Sequence, residues 1–69
     1  MTVEVNGKRM ELRDGASVRD AALAIGVEPG RGVAIALEGE VIPRGRLAET
    51  MLSEGQRVEV VTAIGGGCR

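Results

Sequence analysis

The sequence contains no aromatic residue: Phe, Tyr and Trp are all absent from its 69 residues, although 43% of them are hydrophobic. Proteins that hold single-stranded nucleic acid by base stacking use aromatic side chains as the stacking platform, so this mode of binding is excluded. Any core must be built from valine, isoleucine, leucine, methionine and alanine.

Histidine is also absent, and cysteine occurs once, as Cys68. A single cysteine cannot form an intramolecular disulfide, and without histidine a tetrahedral zinc site has too few ligands. The usual base of a nucleophile–base pair is missing as well, and paired carboxylates have no evident cleft in so small a domain. We therefore expect a protein that is not an enzyme and that binds no metal or cofactor of its own.

The sequence also has neither a large net charge nor a long apolar run. Nine basic and ten acidic residues give a net charge of −1, so the basic patch that binds a phosphate backbone is not expected. No apolar stretch approaches the length of a membrane span, and residues 1–5 have the pattern of a strand rather than of a signal peptide. The sequence predicts a small soluble cytoplasmic domain with neither nucleic acid nor a membrane as partner.

The N-terminal residues predict a β-hairpin. Residues 2–5 alternate between apolar and polar side chains, which is the pattern of a half-buried strand. Asn6 and Gly7 form a strong hairpin signal, because both central positions of a type I′ turn need a positive φ. Residues 8–12 are the predicted returning strand.

One helix is predicted over residues 18–25. Ser17 is a candidate N-cap, and Asp20 three residues later has the spacing of a capping box. Most apolar residues of the segment fall on one helical face, and Gly26 follows at the position of a left-handed C-terminal glycine. Leu23 lies off this face, either at the flank of the core or as an exposed apolar contact.

The second half of the sequence predicts three further strands. Residues 33–37 form a continuous apolar run, which predicts a central strand buried on both faces. A turn leads to a short strand over residues 40–42, residues 44–53 are irregular or form a short helical turn, and residues 57–64 are the last strand. A hairpin, one packing helix and three more strands predict an α+β fold, a small mixed sheet packed on one main helix.

A glycine tail directly follows the last predicted strand. It consists of Gly65, Gly66 and Gly67, followed by Cys68 and Arg69. Ordering glycine costs more backbone entropy than ordering any other residue, so a folded domain gains little from such an end. We expect a folded domain over residues 1–64 and a flexible tail over residues 65–69. A tail without Cβ atoms is thin enough to enter a narrow channel in a partner.

The whole chain resembles the ThiS family of ubiquitin-like β-grasp sulfur carriers, related to MoaD. The resemblance rests on an ordered set of pieces: Val5-Asn6-Gly7, Ser17-Val18-Arg19-Asp20, Gly26, Val33-Ala34-Ile35-Ala36-Leu37, Glu38-Gly39-Glu40, Val41-Ile42-Pro43-Arg44 and residues 54–64 before the glycines. Two features depart from the family pattern. Leu47 stands where the family usually has Trp, and Cys68 and Arg69 follow the glycines at which members normally end.

The resemblance implies the chemistry of the tail. A ubiquitin-activating-type adenylyltransferase, ThiF-like or MoeB-like, uses ATP to make an acyl-adenylate of the carrier, and a sulfur donor then displaces AMP to leave a thiocarboxylate. That sulfur passes to an acceptor enzyme such as thiazole synthase in thiamin biosynthesis. Gly67 aligns with the activated residue, Gly66 precedes it in the working end, and Gly65 is a spacer.

The extension after the glycines predicts a processing step. Gly67 forms a peptide bond with Cys68, so its carbonyl cannot be adenylated as a carboxylate. Some related carriers lose such a tail to a JAMM-type zinc peptidase, which implies that Cys68 and Arg69 are removed first, after either Gly66 or Gly67. The alternative is that Cys68 is itself a reactive thiol, although only Arg69 provides the positive surroundings that lower a thiol pKa.

Several assignments stay open at this level. Arg44, Leu47 and Leu23 are candidate partner contacts, with a solvated charge for Arg44 and the core margin for both leucines as the alternatives. Met10 and Met51 are interpreted as core fillers. The alternative functions are a carrier for cysteine or specialised-metabolite biosynthesis, a ubiquitin-like protein modifier, and a plain binding module.

Overall fold

The computed structural model describes residues 1–62, and in it the chain begins with a β-hairpin. Strand β1 (Thr2–Val5) pairs antiparallel with strand β2 (Lys8–Glu11). Asn6 has a φ of 52° and Gly7 a φ of 82°, which are the two positive values that a type I′ turn needs. The predicted hairpin is confirmed, and β2 ends one residue earlier than predicted.

Helix α1 (Val18–Ala24) begins at the predicted capping box. The Ser17 hydroxyl accepts the Asp20 backbone N–H at 3.2 Å, and the Asp20 carboxylate accepts the Ser17 backbone N–H at 2.9 Å. At the other end, Gly26 has a φ of 80°. The Gly26 and Val27 N–H groups donate to the carbonyls of Leu23 and Ala22, which is the Schellman arrangement.

The strands form one mixed sheet with β5 at its centre. Strands β3 (Val33–Leu37), β4 (Glu40–Ile42) and β5 (Arg57–Thr62) follow α1, with a short 3-10 helix (Arg44–Arg46) between β4 and β5. The order is β2-β1-β5-β3-β4. β1 and β5 run parallel, and the other neighbouring pairs are antiparallel. This is the predicted α+β, β-grasp architecture.

The prediction that β3 is a central strand buried on both faces is wrong. β3 lies between β5 and the edge strand β4, and only its inner face is covered. Ile35 is buried on that face, whereas Ala34 is exposed on the other. Alanine is apolar but has little surface to bury, so two alanines in an apolar run do not require a second covering layer.

The core lies between the inner face of the sheet and α1. Helix residues Ala21 and Ala22 are fully buried, and their small side chains bring the helix close to the sheet. The other buried hydrophobic members of the cluster are Val3, Val5, Val18, Ile35, Leu47, Leu52, Val58 and Val60. The core is therefore aliphatic, as the missing aromatic residues required.

The connection before β5 packs along the start of α1. Its extended conformation shows that the interpretation of Met51 as a core filler is wrong. The Leu52 N–H donates to the carbonyl of Ala16 and the Val18 N–H to that of Thr50, both at 2.9 Å. In such an extended segment, neighbouring side chains point to opposite sides. Leu52 is buried, and Met51 is 54% exposed, so Met51 is not a core filler. Met10 is half-buried against the core, as expected.

The last predicted strand is described through Thr62, while its final two predicted residues, and the tail, lie outside the described residues. Within residues 1–62, no helix is long and apolar enough to cross a bilayer.

Candidate functional site

Strand β5 precedes the predicted working tail in the chain, and it is the middle strand of the sheet, between β1 and β3. Its antiparallel register with β3 runs from Leu37 opposite Val58 to Val33 opposite Thr62. Its other edge pairs with β1 in parallel. The predicted tail residues Gly65, Gly66, Gly67, Cys68 and Arg69 lie outside the described residues, so the site is defined by the strand that leads to them.

The first hairpin turn is tied to β5 by a side chain. The Asn6 backbone N–H donates to the Val58 carbonyl at 2.9 Å, which continues the parallel ladder. The left-handed conformation of Asn6 turns its own carbonyl away, and its Oδ1 accepts the Val60 N–H at 2.8 Å instead. The Asn6 Nδ2 donates to the Val60 carbonyl at 3.2 Å. The side-chain amide thus replaces a peptide group and adds one rung to the ladder.

The second hairpin turn is tied to β5 in the same way, at the other end of the strand. Glu38 also has a φ of 52°. Its N–H donates to the Arg57 carbonyl at 2.9 Å, and its carboxylate accepts the Arg57 N–H at 2.6 Å. Glu38 holds the first residue of β5, whereas Asn6 holds a residue near the end from which the tail continues.

An apolar outer patch lies on the face of the sheet opposite α1. Its members are Ala34, Ala36, Val41 and Val61. The register places Ala34 opposite Val61, and Ala36 opposite Val41, so the four residues are neighbours across β5, β3 and β4. Val41 is 67% exposed and Val61 is 62% exposed. Ala34 is exposed as well, and Ala36 is half-buried. Because these apolar residues are contiguous rather than scattered, the patch is a candidate interaction surface.

The rest of the outer face is charged. Glu59 lies opposite Ala36 at the border of the patch. Farther along, the Arg57 side chain lies 3.4 Å from the carboxylate of Glu4, which is paired in register with Arg9 of β2. The outer face is therefore divided into an apolar half, next to the end of β5, and a charged half on β1 and β2.

The predicted partner contacts do not form one surface. Leu47 is only 4% exposed and belongs to the core, so the prediction that it contacts a partner is wrong. It is covered because the turn that follows the 3-10 helix packs on α1, where the Arg19 N–H donates to the Leu47 carbonyl. Leu23 is 40% exposed on α1, across the sheet from the apolar outer patch. Arg44 is exposed in the 3-10 helix, and partner contacts by Leu23 and Arg44 remain predictions.

Within residues 1–62, no group of three potential metal-ligating side chains is close enough to hold a metal ion. An open groove of about 430 Å³ is lined by Thr2, Glu4, Arg9 and Glu54, among others. It lies at the start of β5, because the Gly55 N–H donates to the Thr2 carbonyl. The groove is therefore at the opposite end of β5 from the tail.

The chain matches one known protein family over most of its length. The sequence model described as the ThiS family matches residues 3–67. The chain belongs to the ThiS family. The match covers the β-grasp body from Val3 onward and ends at Gly67, with Cys68 and Arg69 beyond it. The resemblance inferred from the sequence is confirmed.

Solved structures place the fold in the same family. A crystal structure of the thiamine biosynthesis protein (ThiS) from Geobacter metallireducens has a TM-score of 0.77 and 30% identity, and the alignment covers 97% of this chain and all of that one. The solution NMR structure of a thiamine biosynthesis protein from the same organism gives the same TM-score and identity, with 100% and 91% covered. No curated protein gives a significant match.

Sequence reasoning missed four residues of the candidate site. Val41 and Val61 were assigned only to strands, although Val61 breaks the alternation of β5 by placing an apolar side chain outward. That break was the available signal for the patch. Asn6 and Glu38 were assigned only to turns. Their bonds to β5 join positions far apart in sequence, and no local pattern reports such bonds.

Proposed function

We propose that this chain is a sulfur carrier of thiamin thiazole biosynthesis and that Gly67 is its activated residue. The observation that carries the proposal is the family match, which covers the β-grasp body and ends at Gly67. The Geobacter structures named as thiamine biosynthesis proteins support the choice of pathway. On this proposal the chain is a carrier rather than an enzyme, and ATP is a substrate of its activating partner.

The proposed chemistry takes place at the carboxylate of Gly67 on a ThiF-like adenylyltransferase. A carboxylate oxygen attacks the α-phosphorus of ATP, and pyrophosphate leaves. A donor at the oxidation level of sulfide then attacks the acyl carbon, AMP leaves, and a C-terminal thiocarboxylate remains. Thiazole synthase is the proposed acceptor of the sulfur. Gly65 and Gly66 serve this chemistry by offering no Cβ atom to a narrow channel.

The apolar outer patch is the proposed docking surface for the activating enzyme. Val61 belongs both to the patch and to β5, the strand that leads to the tail. Docking through the patch would therefore bring the start of the tail to the partner together with the body. A rigid face supplies the interface, and a tail that continues from it supplies the reach.

The proposal requires a processing step, because Cys68 follows Gly67. Hydrolysis of the Gly67–Cys68 peptide bond by a JAMM-type zinc peptidase would release Cys68 and Arg69 and expose the carboxylate. We prefer this site to cleavage after Gly66, because the family match includes Gly67. On this proposal Cys68 is a residue that is discarded and not a reactive thiol.

Intact mass spectrometry tests the proposal directly. The chain ending at Gly67 is incubated with ATP, a ThiF-like enzyme and sulfide, and should gain the mass difference between sulfur and oxygen. The full-length chain is the matched control and should keep its mass. A thiocarboxylate on the full-length chain would refute the processing step. No change in the truncated chain would refute the carrier function.

A second measurement separates the alternatives. The thiocarboxylate form is offered to thiazole synthase with its small-molecule substrates, and thiazole formation is followed. Sulfur transfer supports the thiamin pathway, and a ladder of conjugates with other proteins would indicate a modifier instead. A chain lacking residues 65–69 should lose all activity as a carrier but would keep the activity of a plain binding module.

A further inference from the structure

We propose that Asn6 is a positioning residue for the tail: its side-chain amide fixes the direction in which β5 leaves the sheet. The role in positioning the tail rests on the proposed carrier function, because only that function requires Gly67 to be delivered to a partner. Its structural basis is independent of that function, because both hydrogen bonds lie within the described part of the chain.

Of the contacts that attach β5 to the first hairpin, the hydrogen bonds of Asn6 lie closest to the tail. β1 ends at Val5, and the chain then turns away at Asn6 and Gly7. The parallel pairing of β1 with β5 extends only to Val5 opposite Val58. The Asn6 side chain reaches two residues farther, to both backbone polar groups of Val60. Without this side chain, both backbone polar groups of Val60 would lose these partners, and this part of β5 would be paired with β3 alone.

Val60 lies next to the proposed docking surface and shortly before the proposed reactive residue in the chain. Its neighbour Val61 is part of the apolar outer patch, and Gly67 follows Val60 by seven residues. An extended segment of that length spans at most about 25 Å. The direction of β5 at Val60 therefore sets which part of space around the docked body Gly67 can reach. Because small misplacements of reacting groups are costly to rate, the strand direction matters for delivery of Gly67.

The conformation of Asn6 is matched to this role. At a φ of 52° its carbonyl is turned out of the ladder, and Oδ1 and Nδ2 take up the acceptor and donor positions of a peptide group. Asparagine adopts the left-handed region more readily than most residues, and its amide offers both a donor group and an acceptor oxygen. Glycine would also permit the turn, but it would leave Val60 without these bonds.

Glu38 supplies a matched control. It occupies the equivalent turn position with the same φ, and its carboxylate holds the backbone N–H of Arg57 at the start of β5. Asn6→Gly and Glu38→Gly therefore both keep a type I′ turn, remove side-chain bonds to β5 and add one glycine to the unfolded chain. They differ in which end of β5 is released, and Asn6→Gly removes two side-chain bonds whereas Glu38→Gly removes one.

The test uses the chain ending at Gly67, with ATP and a ThiF-like enzyme, and measures kcat and KM of pyrophosphate release. We expect Asn6→Gly to lower kcat about tenfold, as for a misplaced reacting group, and to change KM less than about twofold. Glu38→Gly should leave both constants near those of the parent chain. Equal effects of the two variants, or none from Asn6→Gly, would overturn the proposal.

Amide hydrogen exchange of the same proteins gives a readout that needs no activity. We expect the Val60 amide to exchange about tenfold faster in Asn6→Gly, while the Ile35 amide in the neighbouring strand keeps its rate. In Glu38→Gly the Val60 amide should be unchanged. If the parent chain is not activated at all, the carrier function fails and exchange alone decides whether Asn6 holds the strand. Unchanged Val60 exchange in Asn6→Gly overturns the inference in either case.

Discussion

The carboxylate of Asp20 accepts the backbone N–H of Ser17 at 2.9 Å, while the Ser17 hydroxyl accepts the backbone N–H of Asp20 at 3.2 Å. The hydrogen bond from the Ser17 backbone holds the pKa of Asp20 below its ordinary value, and the nearby charge of Arg13 adds to this effect. Arg13 lies 3.1 Å from the carboxylate. Ionised Asp20 therefore stabilises the start of α1, the only α-helix among residues 1–62.

The capping box should make the free energy of unfolding fall as the pH is lowered. A lowered folded-state pKa means that the stabilisation is complete above the unfolded pKa, about 3.9, and is lost as the pH falls through the folded value. Asp20→Asn should therefore be less stable than the parent chain at neutral pH, and the difference should shrink on acidification. Urea unfolding at a series of pH values measures it. Glu28→Gln, in the exposed loop after the helix, is the control, and a difference that grows in acid would contradict the assignment.

The apolar outer patch should be required for docking and dispensable for folding. Val41→Lys and Val61→Lys place a charge on residues that are 67% and 62% exposed, so each should change unfolding free energy by about 0.5 kcal/mol or less. Both should raise the KM of the ThiF-like enzyme for the chain ending at Gly67, because charge on one side of an apolar contact must be desolvated. Ala24→Lys, exposed on the helix side, is the control. An unchanged KM in both patch variants would exclude this face.

Leu52 and Met51 are neighbours whose substitutions should differ strongly in their cost to stability. Leu52 is 6% exposed, and Met51 is 54% exposed. Leu52→Ala should cost about 2–5 kcal/mol of unfolding free energy, because it removes buried methyl groups and leaves a cavity. Met51→Ala should cost less than about 1 kcal/mol, as is usual away from the core. Chemical denaturation followed by circular dichroism measures both. A larger loss for Met51→Ala would show that it is covered in solution.

These two residues also show which parts of the fold local sequence signals can predict. The hairpin, the helix with its caps and the last strand carry signals within a few residues, such as Asn6-Gly7 and the Ser17–Asp20 spacing. These predictions are confirmed, for the last strand through Thr62. The side on which Met51 lies depends on its pairing with Ser17. That pairing joins distant parts of the chain, so hydrophobicity alone assigned Met51 to the core incorrectly.

The candidate site likewise has parts that the sequence predicted and parts that depend on tertiary structure. The glycine tail and the family were evident from sequence, because they are contiguous motifs in a fixed order. The apolar outer patch is assembled from three strands by sheet register, and register is a tertiary property. Its two alanines also made β3 look buried on both faces. The Asn6–Val60 link depends on one side chain replacing a peptide group, which no residue pattern encodes.

Gly26 and Gly45 allow the effect of backbone conformation on stability to be measured apart from the effect of steric space. A Cβ atom added at either glycine would meet nothing within 4 Å, but only Gly26 has a positive φ, 80°. Gly26→Ala should therefore cost about 1–2 kcal/mol, since the left-handed region is unfavourable for a residue with a Cβ atom. Gly45→Ala, in the 3-10 helix, should be neutral or stabilise by up to about 1 kcal/mol, because alanine restricts the unfolded chain. Urea unfolding of the two variants measures the contrast. Equal effects would mean that Gly26 does not hold the left-handed C-terminal conformation that ends α1.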